Sequence, residues 1–148
     1  MENLRTLTLL LVVALVSCAG SQQPVNEPWT IDVTSSGGFA GKGAGAMHID
    51  SKGAFTVTTM SGKRCPDRLS DEERQRLDKA IANARPDEWR GTETPCCDRI
   101  EWKLVLEIGG KKHEITWIDD PKFAMPDDLR ALTNVLGDIE SKHAAQCK

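Results

Sequence analysis

The chain has 148 residues, a formal net charge of −3 and 28 % charged residues. The length suits a single domain. A mildly acidic chain without a run of basic residues lacks the electrostatic footprint of a nucleic-acid-binding protein, so that class of function is excluded.

The N-terminus has the layout of a secretory signal peptide. The block Leu7–Val16 is apolar at every position except Thr8, Arg5 precedes it, and the small residue Ser17 follows it. The block is too short to span a bilayer, which takes about 20 apolar residues. We therefore expect this segment to direct export and to be absent from the mature protein.

Residues 15–18, Leu-Val-Ser-Cys, resemble the lipobox of bacterial lipoproteins. The resemblance implies that the Cys18 thiol receives a diacylglyceryl group, that residues 1–17 are removed as the signal peptide by cleavage before Cys18, and that the new amine of Cys18 is acylated. The mature protein would then be held at a membrane by acyl chains, two of which suffice for stable anchoring. Ala19 follows the cysteine, and in a Gram-negative cell this resembles lipoproteins sent to the outer membrane. Residues 18–28 are polar and predict a flexible tether, and residues 29–148 predict one domain.

Four cysteines remain after Cys18, and an even number in an exported domain indicates disulfides. Adjacent cysteines at 96 and 97 are poorly placed to bond each other. The sequence therefore predicts that Cys65 pairs with one of them and that Cys147 pairs with the other. Zinc is the rival interpretation, but there is no Cys-x2-Cys pair and the nearest histidine, His113, is distant. No metal and no cofactor are expected. The four cysteines are Cys65, Cys96, Cys97 and Cys147.

Three segments in the first half alternate between apolar and polar residues with the spacing of β-strands. They cover residues 29–34, 47–50 and 55–59, and the turn between the second and third ends in Gly53. A glycine-rich run, Ser35–Gly45, separates the first strand from the second. These patterns predict a three-stranded meander.

A β-hairpin is predicted for residues 102–117 because Gly109-Gly110 suits a two-residue turn that needs positive φ. This turn places apolar residues opposite each other on one face and an opposite-charge pair on the other. The predicted pairs are Trp102 with Trp117, Leu104 with Ile115, Leu106 with His113, and Glu107 with Lys112.

Two amphipathic helices are predicted. The first begins at Ser70, which forms a Ser-x-x-Glu capping box with Glu73, and it ends before Pro86. The second begins at Pro126 and places Lys142 and His143 near its negative end. The apolar stripes are Leu77, Ala80, Ile81 and Ala84 in the first helix, and Leu129, Leu132, Val135, Leu136 and Ile139 in the second. The element order is β-β-β-α-β-β-α, an α+β fold with an antiparallel sheet of about five strands.

Signatures of catalysis are missing from the sequence. The segment His113–Trp117 begins like the zinc-protease motif His-Glu-x-x-His, but its fifth residue is Trp and it belongs to a predicted strand. There is no Gly-x-Ser-x-Gly elbow and no complete phosphate-binding loop. His48, His113 and His143 are scattered and are expected at the surface or in strands, and the carboxylates are expected on solvated faces. We therefore expect that the protein is not an enzyme.

The glycine-rich run permits two interpretations. It is either a connector whose single aromatic residue, Phe39, folds back onto the core, or an extended loop that presents this residue to a partner. In the second interpretation the partner-binding residues are Gly37, Gly38, Phe39, Ala40 and Gly41.

The succession of short motifs between Ile31 and Ile139 resembles the emfourin family, small proteins that inhibit thermolysin-like metalloproteases such as protealysin. The motifs are Gly37–Gly41 after the first strand, Asp98-Arg99, the strands Trp102–Ile108 and His113–Ile118, and Ala124-Met125-Pro126 with Leu129 opening the last helix. The emfourin resemblance implies that the chain inhibits such a protease, and the lipobox resemblance implies that it does so as a lipoprotein of the bacterial envelope. The alternative is a non-inhibitory envelope lipoprotein that binds another protein or a small ligand.

Overall fold

A computed structural model describes residues 25–38, 41, 43–92 and 98–147. These residues form one antiparallel sheet of six strands in the order β4-β3-β2-β1-β5-β6, together with two α-helices. The fold is therefore of the α+β class, as predicted. The strands are β1 Trp29–Gly37, β2 Ala46–Asp50, β3 Ala54–Thr58, β4 Arg64–Arg68, β5 Ile100–Ile108 and β6 Lys111–Ile118, and the helices are α1 Asp71–Asn83 and α2 Asp127–Ala144. A short 3-10 helix, Pro86–Glu88, follows α1.

One face of the sheet is covered by the helices and holds the core. Ile31, Leu104 and Leu106 are fully buried on this face, against Leu77 of α1 and Leu132 of α2. Because side chains alternate along a strand, the opposite face carries the polar residues. There the His48 ring lies 2.7 Å from the Asp32 carboxylate, and the Lys103 ammonium lies 2.7 Å from the Glu114 carboxylate. The sheet is thus apolar on one side and charged on the other.

The predicted hairpin register is confirmed. Trp102 pairs with Trp117, Leu104 with Ile115, Leu106 with His113, and Glu107 with Lys112. Gly109 and Gly110 form the turn with φ values of 56° and 83°, a conformation that favours glycine. The capping box of α1 is also confirmed, since the Glu73 N–H donates to the Ser70 hydroxyl and the Ser70 N–H donates to the Glu73 carboxylate.

The strand β4 was not predicted. Its five residues, Arg-Cys-Pro-Asp-Arg, contain no apolar alternation because β4 is an edge strand with little buried surface. Pro66, which lacks an N–H, is tolerated at such an edge. The register pairs Cys65 with Val57 and Asp67 with Phe55, both buried, so these two β4 side chains face the helices.

The disulfide joins Cys65 to Cys147, with 5.8 Å between the Cα atoms. The prediction that Cys65 bonds Cys96 or Cys97 is wrong. The reason is that β4 turns Cys65 toward the helices, where the end of α2 brings Cys147 within bonding distance. Cys96 and Cys97, like Cys18, lie outside the described residues.

Both edges of the sheet carry features that obstruct further pairing. On one side, Pro66 in β4 withholds a hydrogen-bond donor. On the other side, Thr92 lies along β6: its N–H donates to the Thr116 carbonyl over 3.0 Å, and its hydroxyl accepts from the Ile118 N–H over 3.1 Å. A side chain at Gly91 would collide with the same Thr116 carbonyl, which explains a glycine at that position.

Candidate functional site

The sheet has two ends with different surroundings. At the end that we call the tether end, the Trp29 carbonyl accepts from the Ser51 N–H, and the Pro28 carbonyl accepts from the Gly109 N–H. At the other end, which we call the distal end, β1 finishes at Gly37. From the first to the ninth residue of β1 there are eight steps of about 3.3 Å, so the two ends lie roughly 26 Å apart. The candidate site is at the distal end.

Ser35 holds together the base of the glycine-rich run Ser35–Gly45, which we call the glycine loop. Its N–H and its hydroxyl both donate to the Gly45 carbonyl, over 3.1 and 2.8 Å, and the hydroxyl also accepts from the Ala44 N–H over 2.7 Å. A further bond runs from the Gly43 N–H to the Gly37 carbonyl over 2.9 Å. These bonds connect the start of the loop to its end.

Gly43 shows why the loop contains glycine. Its φ of +64° lies in the left-handed region, and a Cβ there would collide with the Ser35 carbonyl. Gly41 has a similar φ of +66°, but a Cβ there would meet no atom of the described residues within 4 Å. Gly43 is therefore required by both conformation and close packing, whereas Gly41 is required by conformation alone.

Arg99 connects the glycine loop to the segment after β6. Its carbonyl accepts from the Gly38 N–H over 3.0 Å, while its guanidinium lies 3.1 Å from the Asp119 carbonyl and 3.0 Å from the Asp120 carboxylate. The backbone N–H of Lys122 lowers the pKa of Asp120, and the Arg99 guanidinium lowers it further. Asp120 therefore stays ionised and holds Arg99 in place beneath the loop.

The structure brings three of the predicted partner-binding residues, Gly37, Gly38 and Gly41, together at the distal end, where the Gly38 carbonyl accepts from the Gly41 N–H. Phe39 and Ala40 lie outside the described residues. The contact with a partner that was assigned to Phe39 therefore stays a prediction.

A second feature of the distal half is a groove between the sheet and α2, which we call the tryptophan groove. It adjoins the glycine loop, because Trp102 pairs with Ser35 across β1 and β5. Its volume is about 270 Å³. Trp117 is 8 % exposed, whereas Trp102 is only half-buried. The groove is lined by Val33, Met47, Trp102, Trp117, Met125, Thr133, Asn134, Leu136, Gly137 and Glu140.

A cluster of charged groups lies away from the groove, where β4, α1 and the end of α2 meet. The His143 ring lies 2.6 Å from the Asp67 carboxylate and 3.3 Å from the Glu73 carboxylate. The Lys142 ammonium donates to Glu73 over 2.6 Å. His143 and Glu73 are both buried, so the expectation of a surface histidine and of solvated carboxylates is wrong for these two. The sequence shows no sign of this because Asp67 belongs to the unpredicted strand.

The electrostatics of this cluster indicate a structural role. Burial alone would raise the pKa of Glu73, but Lys142, the N–H and hydroxyl of Ser70, and His143 together lower it to about 2. The hydrogen bond from His143 lowers the pKa of Asp67. Every member is thus engaged with its neighbours, and the nearby Cys65 sulfur is held in the disulfide. Within the ranges that the structure covers, no three His, Cys, Asp or Glu side chains are arranged to hold a metal ion.

In comparisons with known proteins, no protein-family model matches the chain and no curated protein matches it significantly. The emfourin resemblance therefore rests on its short motifs. Over the described part of the chain, no helix is long and apolar enough to cross a membrane.

Sequence reasoning found the glycine loop but missed the tryptophan groove. Part of the signal was present, because the predicted register already placed Trp102 opposite Trp117. Glu140 follows Leu136 by four residues, which places it beside the buried stripe of α2. The sequence does not specify the distance between α2 and the sheet. This distance determines whether the space beside Trp102 and Glu140 is filled by side chains or left open as a groove.

Proposed function

We propose that the mature chain is a lipid-anchored protein of the bacterial envelope that inhibits a thermolysin-like zinc metalloprotease through its glycine loop. The observation that carries the proposal is the position and construction of this loop. It lies at the end of the sheet opposite the tether, and Ser35, Gly43 and Arg99 hold its base by backbone hydrogen bonds.

The construction of the loop supports inhibition because a segment that is already ordered loses little conformational freedom on binding. The bonds from Gly43 to Gly37 and from Gly38 to Arg99 order the loop base in the free protein. The emfourin resemblance implies a protease that accepts large apolar side chains beside the scissile bond. The proposal assigns that contact to Phe39.

The position of the loop supports a role away from the membrane surface. With acyl chains on Cys18, residues 18–28 lead to the tether end of the sheet, and the glycine loop lies about 26 Å beyond it, the length of β1 at about 3.3 Å per residue. This arrangement presents the loop to proteins of the surrounding compartment. The proposal includes no catalytic activity, since the buried histidine His143 is fully engaged by Asp67 and Glu73.

The test is titration of the unacylated mature chain, Cys18→Ser from residue 18 onward, against several thermolysin-like proteases with a peptide substrate. We expect stoichiometric inhibition. Phe39→Ala should weaken inhibition by about 2 kcal/mol or more while leaving the melting temperature nearly unchanged. Full inhibition by a folded Phe39→Ala variant would refute the role of the loop. Lack of inhibition by the wild-type chain would instead favour the alternative, an envelope lipoprotein that binds another protein or a small ligand.

Two glycine variants form a matched pair for the same assay. Gly41→Ala and Gly43→Ala both place alanine at positive φ, but only Gly43→Ala adds a collision with the Ser35 carbonyl. If the hydrogen-bonded base of the loop is needed for inhibition, Gly43→Ala should weaken inhibition more than Gly41→Ala. Equal inhibition by both variants would show that this base does not determine binding.

A further inference from the structure

The tryptophan groove contains one acidic side chain, that of Glu140, among mostly apolar ones. Helix α2 has four acidic residues, and three of them are paired: Asp127 with Arg130, Asp128 with the Trp89 indole, and Asp138 with Arg76. Within the described part of the chain, Glu140 has no hydrogen-bond or ion-pair partner. Burial raises its pKa, and none of the neighbouring groups that the structure describes acts in the opposite direction. A partly desolvated carboxylate without a partner is an unfavourable arrangement that a bound cation would relieve.

The tryptophans of the molecule divide into two kinds. The indole N–H groups of Trp29 and Trp89 donate to Asp78 and Asp128 over 3.0 and 2.9 Å, as is usual for buried tryptophan. Those of Trp102 and Trp117 have no acceptor among the residues that the structure places. The indole N–H groups of these two tryptophans are therefore not fixed by an acceptor among the described residues. Trp102, which is only half-buried, offers ring surface to an apolar ligand or to a cation, which the face of an indole ring attracts, and Trp117 adds the small part of its ring that lines the groove.

Size and chemistry together define the ligand. A volume of about 270 Å³ is near the lower limit for small-molecule sites, so the occupant is small. The walls formed by Met47, Trp102, Trp117 and Leu136 select an apolar body. The single carboxylate favours a ligand with a positive charge, because a charge-assisted hydrogen bond is strong where water is partly excluded. The same negative charge repels an anion.

We infer that the tryptophan groove binds a small apolar molecule that carries one ammonium group, with the ammonium paired to Glu140 and the apolar body against Trp102 and Trp117. This inference is independent of the proposed protease inhibition, which concerns the glycine loop. The two are distinguished by experiment, because ligand binding is measured without any protease.

The test uses three probes of nearly equal size: phenethylamine, the neutral 2-phenylethanol and the anionic phenylacetate. Binding to the unacylated mature chain is followed by NMR, with the four indole N–H signals assigned from tryptophan variants. We expect phenethylamine to shift the signals of Trp102 and Trp117 and to leave those of Trp29 and Trp89 in place. The affinity for 2-phenylethanol should be at least about tenfold lower, because the charge-assisted bond is lost. Phenylacetate should bind more weakly still.

Glu140→Gln tests the carboxylate, and Glu72→Gln on α1, outside the groove, is the matched control with the same change of charge. Glu140→Gln should weaken phenethylamine at least about tenfold and leave 2-phenylethanol unchanged, whereas Glu72→Gln should alter neither. Binding of phenethylamine should also weaken as the pH falls and Glu140 becomes protonated. Equal affinity for the amine and the alcohol, wild-type affinity in Glu140→Gln, or no binding of phenethylamine at millimolar concentration would each overturn the inference.

Discussion

Glu73 connects several elements of this fold. Its carboxylate caps the first turn of α1 through Ser70 and also receives Lys142 and His143 from the end of α2. Through His143 it is connected to Asp67 on β4. One buried carboxylate therefore joins the two helices and the edge strand, although the capping motif predicts only a local role for it.

We predict that Glu73→Gln lowers the free energy of unfolding by about 1.5–3 kcal/mol at pH 7, the range for hydrogen bonds to charged groups. The pKa of Glu73 is about 2 in the folded protein, against an ordinary value of 4.5. Its contribution is therefore complete above pH 4.5 and is lost as the pH falls from there toward 2. Urea unfolding at pH 7, 4 and 2.5 should show the wild-type chain approaching the variant in acid. The exposed neighbour Glu72, changed to Gln, should alter stability by less than about 0.5 kcal/mol. A constant difference across this pH range would contradict the assignment.

Trp117 and Trp102 face each other but are not equally buried. Trp117 is 8 % exposed and belongs to the core, so Trp117→Ala should cost about 3–5 kcal/mol of unfolding free energy. Trp102 is half-buried beside the groove, so Trp102→Ala should cost distinctly less. Denaturant-induced unfolding of the two variants measures both losses of unfolding free energy. A larger loss at Trp102 would mean that the groove is closed in solution.

At the scale of elements, hydrophobic periodicity predicted the helices and strands that have one apolar face and missed the strand that has none. The hairpin of Trp102 and Trp117 was predicted in its full register, because one pairing satisfies both the apolar face and the charges. Strand β4 was missed since Arg64–Arg68 has no apolar alternation. That omission also explains the wrong disulfide, because without β4 nothing in the sequence places Cys65 beneath the end of α2.

The disulfide closes a long loop, with 82 residues of sequence separation between Cys65 and Cys147. In the chain-entropy treatment a loop of this length contributes about 4.5 kcal/mol. We predict that replacing both cysteines by serine lowers the urea-unfolding free energy by about that amount while the fold is retained. Peptide mapping of the alkylated, unreduced protein should yield a fragment that links Cys65 to Cys147. A map that joins Cys65 to Cys96 or Cys97 instead would contradict the structure.

At the scale of the whole molecule, the α+β class followed from the order of the predicted elements, because strands joined by hairpins pair antiparallel. The candidate site could be predicted only in part from the sequence. The glycine loop is a local feature of composition, whereas the tryptophan groove depends on the spacing between α2 and Val33, Met47 and Trp102, which belong to three different strands. Such a gap is a property of the packed molecule and leaves no short motif in the chain.

The proposed lipid anchor makes a prediction about the whole chain. Cells that express the wild-type protein and are labelled with a radioactive fatty acid should yield a labelled band in the membrane fraction. Cys18→Ser should abolish the label and release the protein from membranes, because the attachment depends on acyl chains. Undiminished label on the variant would rule out Cys18 as the site of attachment.

The obstructed edges of the sheet affect whether copies of the molecule can associate with one another through their strands. Exposed strand edges are the usual starting points of aggregation, because a neighbouring chain can continue the ladder. Here Pro66 interrupts one edge and Thr92 occupies part of the other. Proteins confined to a membrane surface meet one another far more often than proteins free in solution. Under the proposed acylation of Cys18, a sheet that resists extension at both sides would allow copies of the chain to be crowded at a membrane without pairing edge to edge.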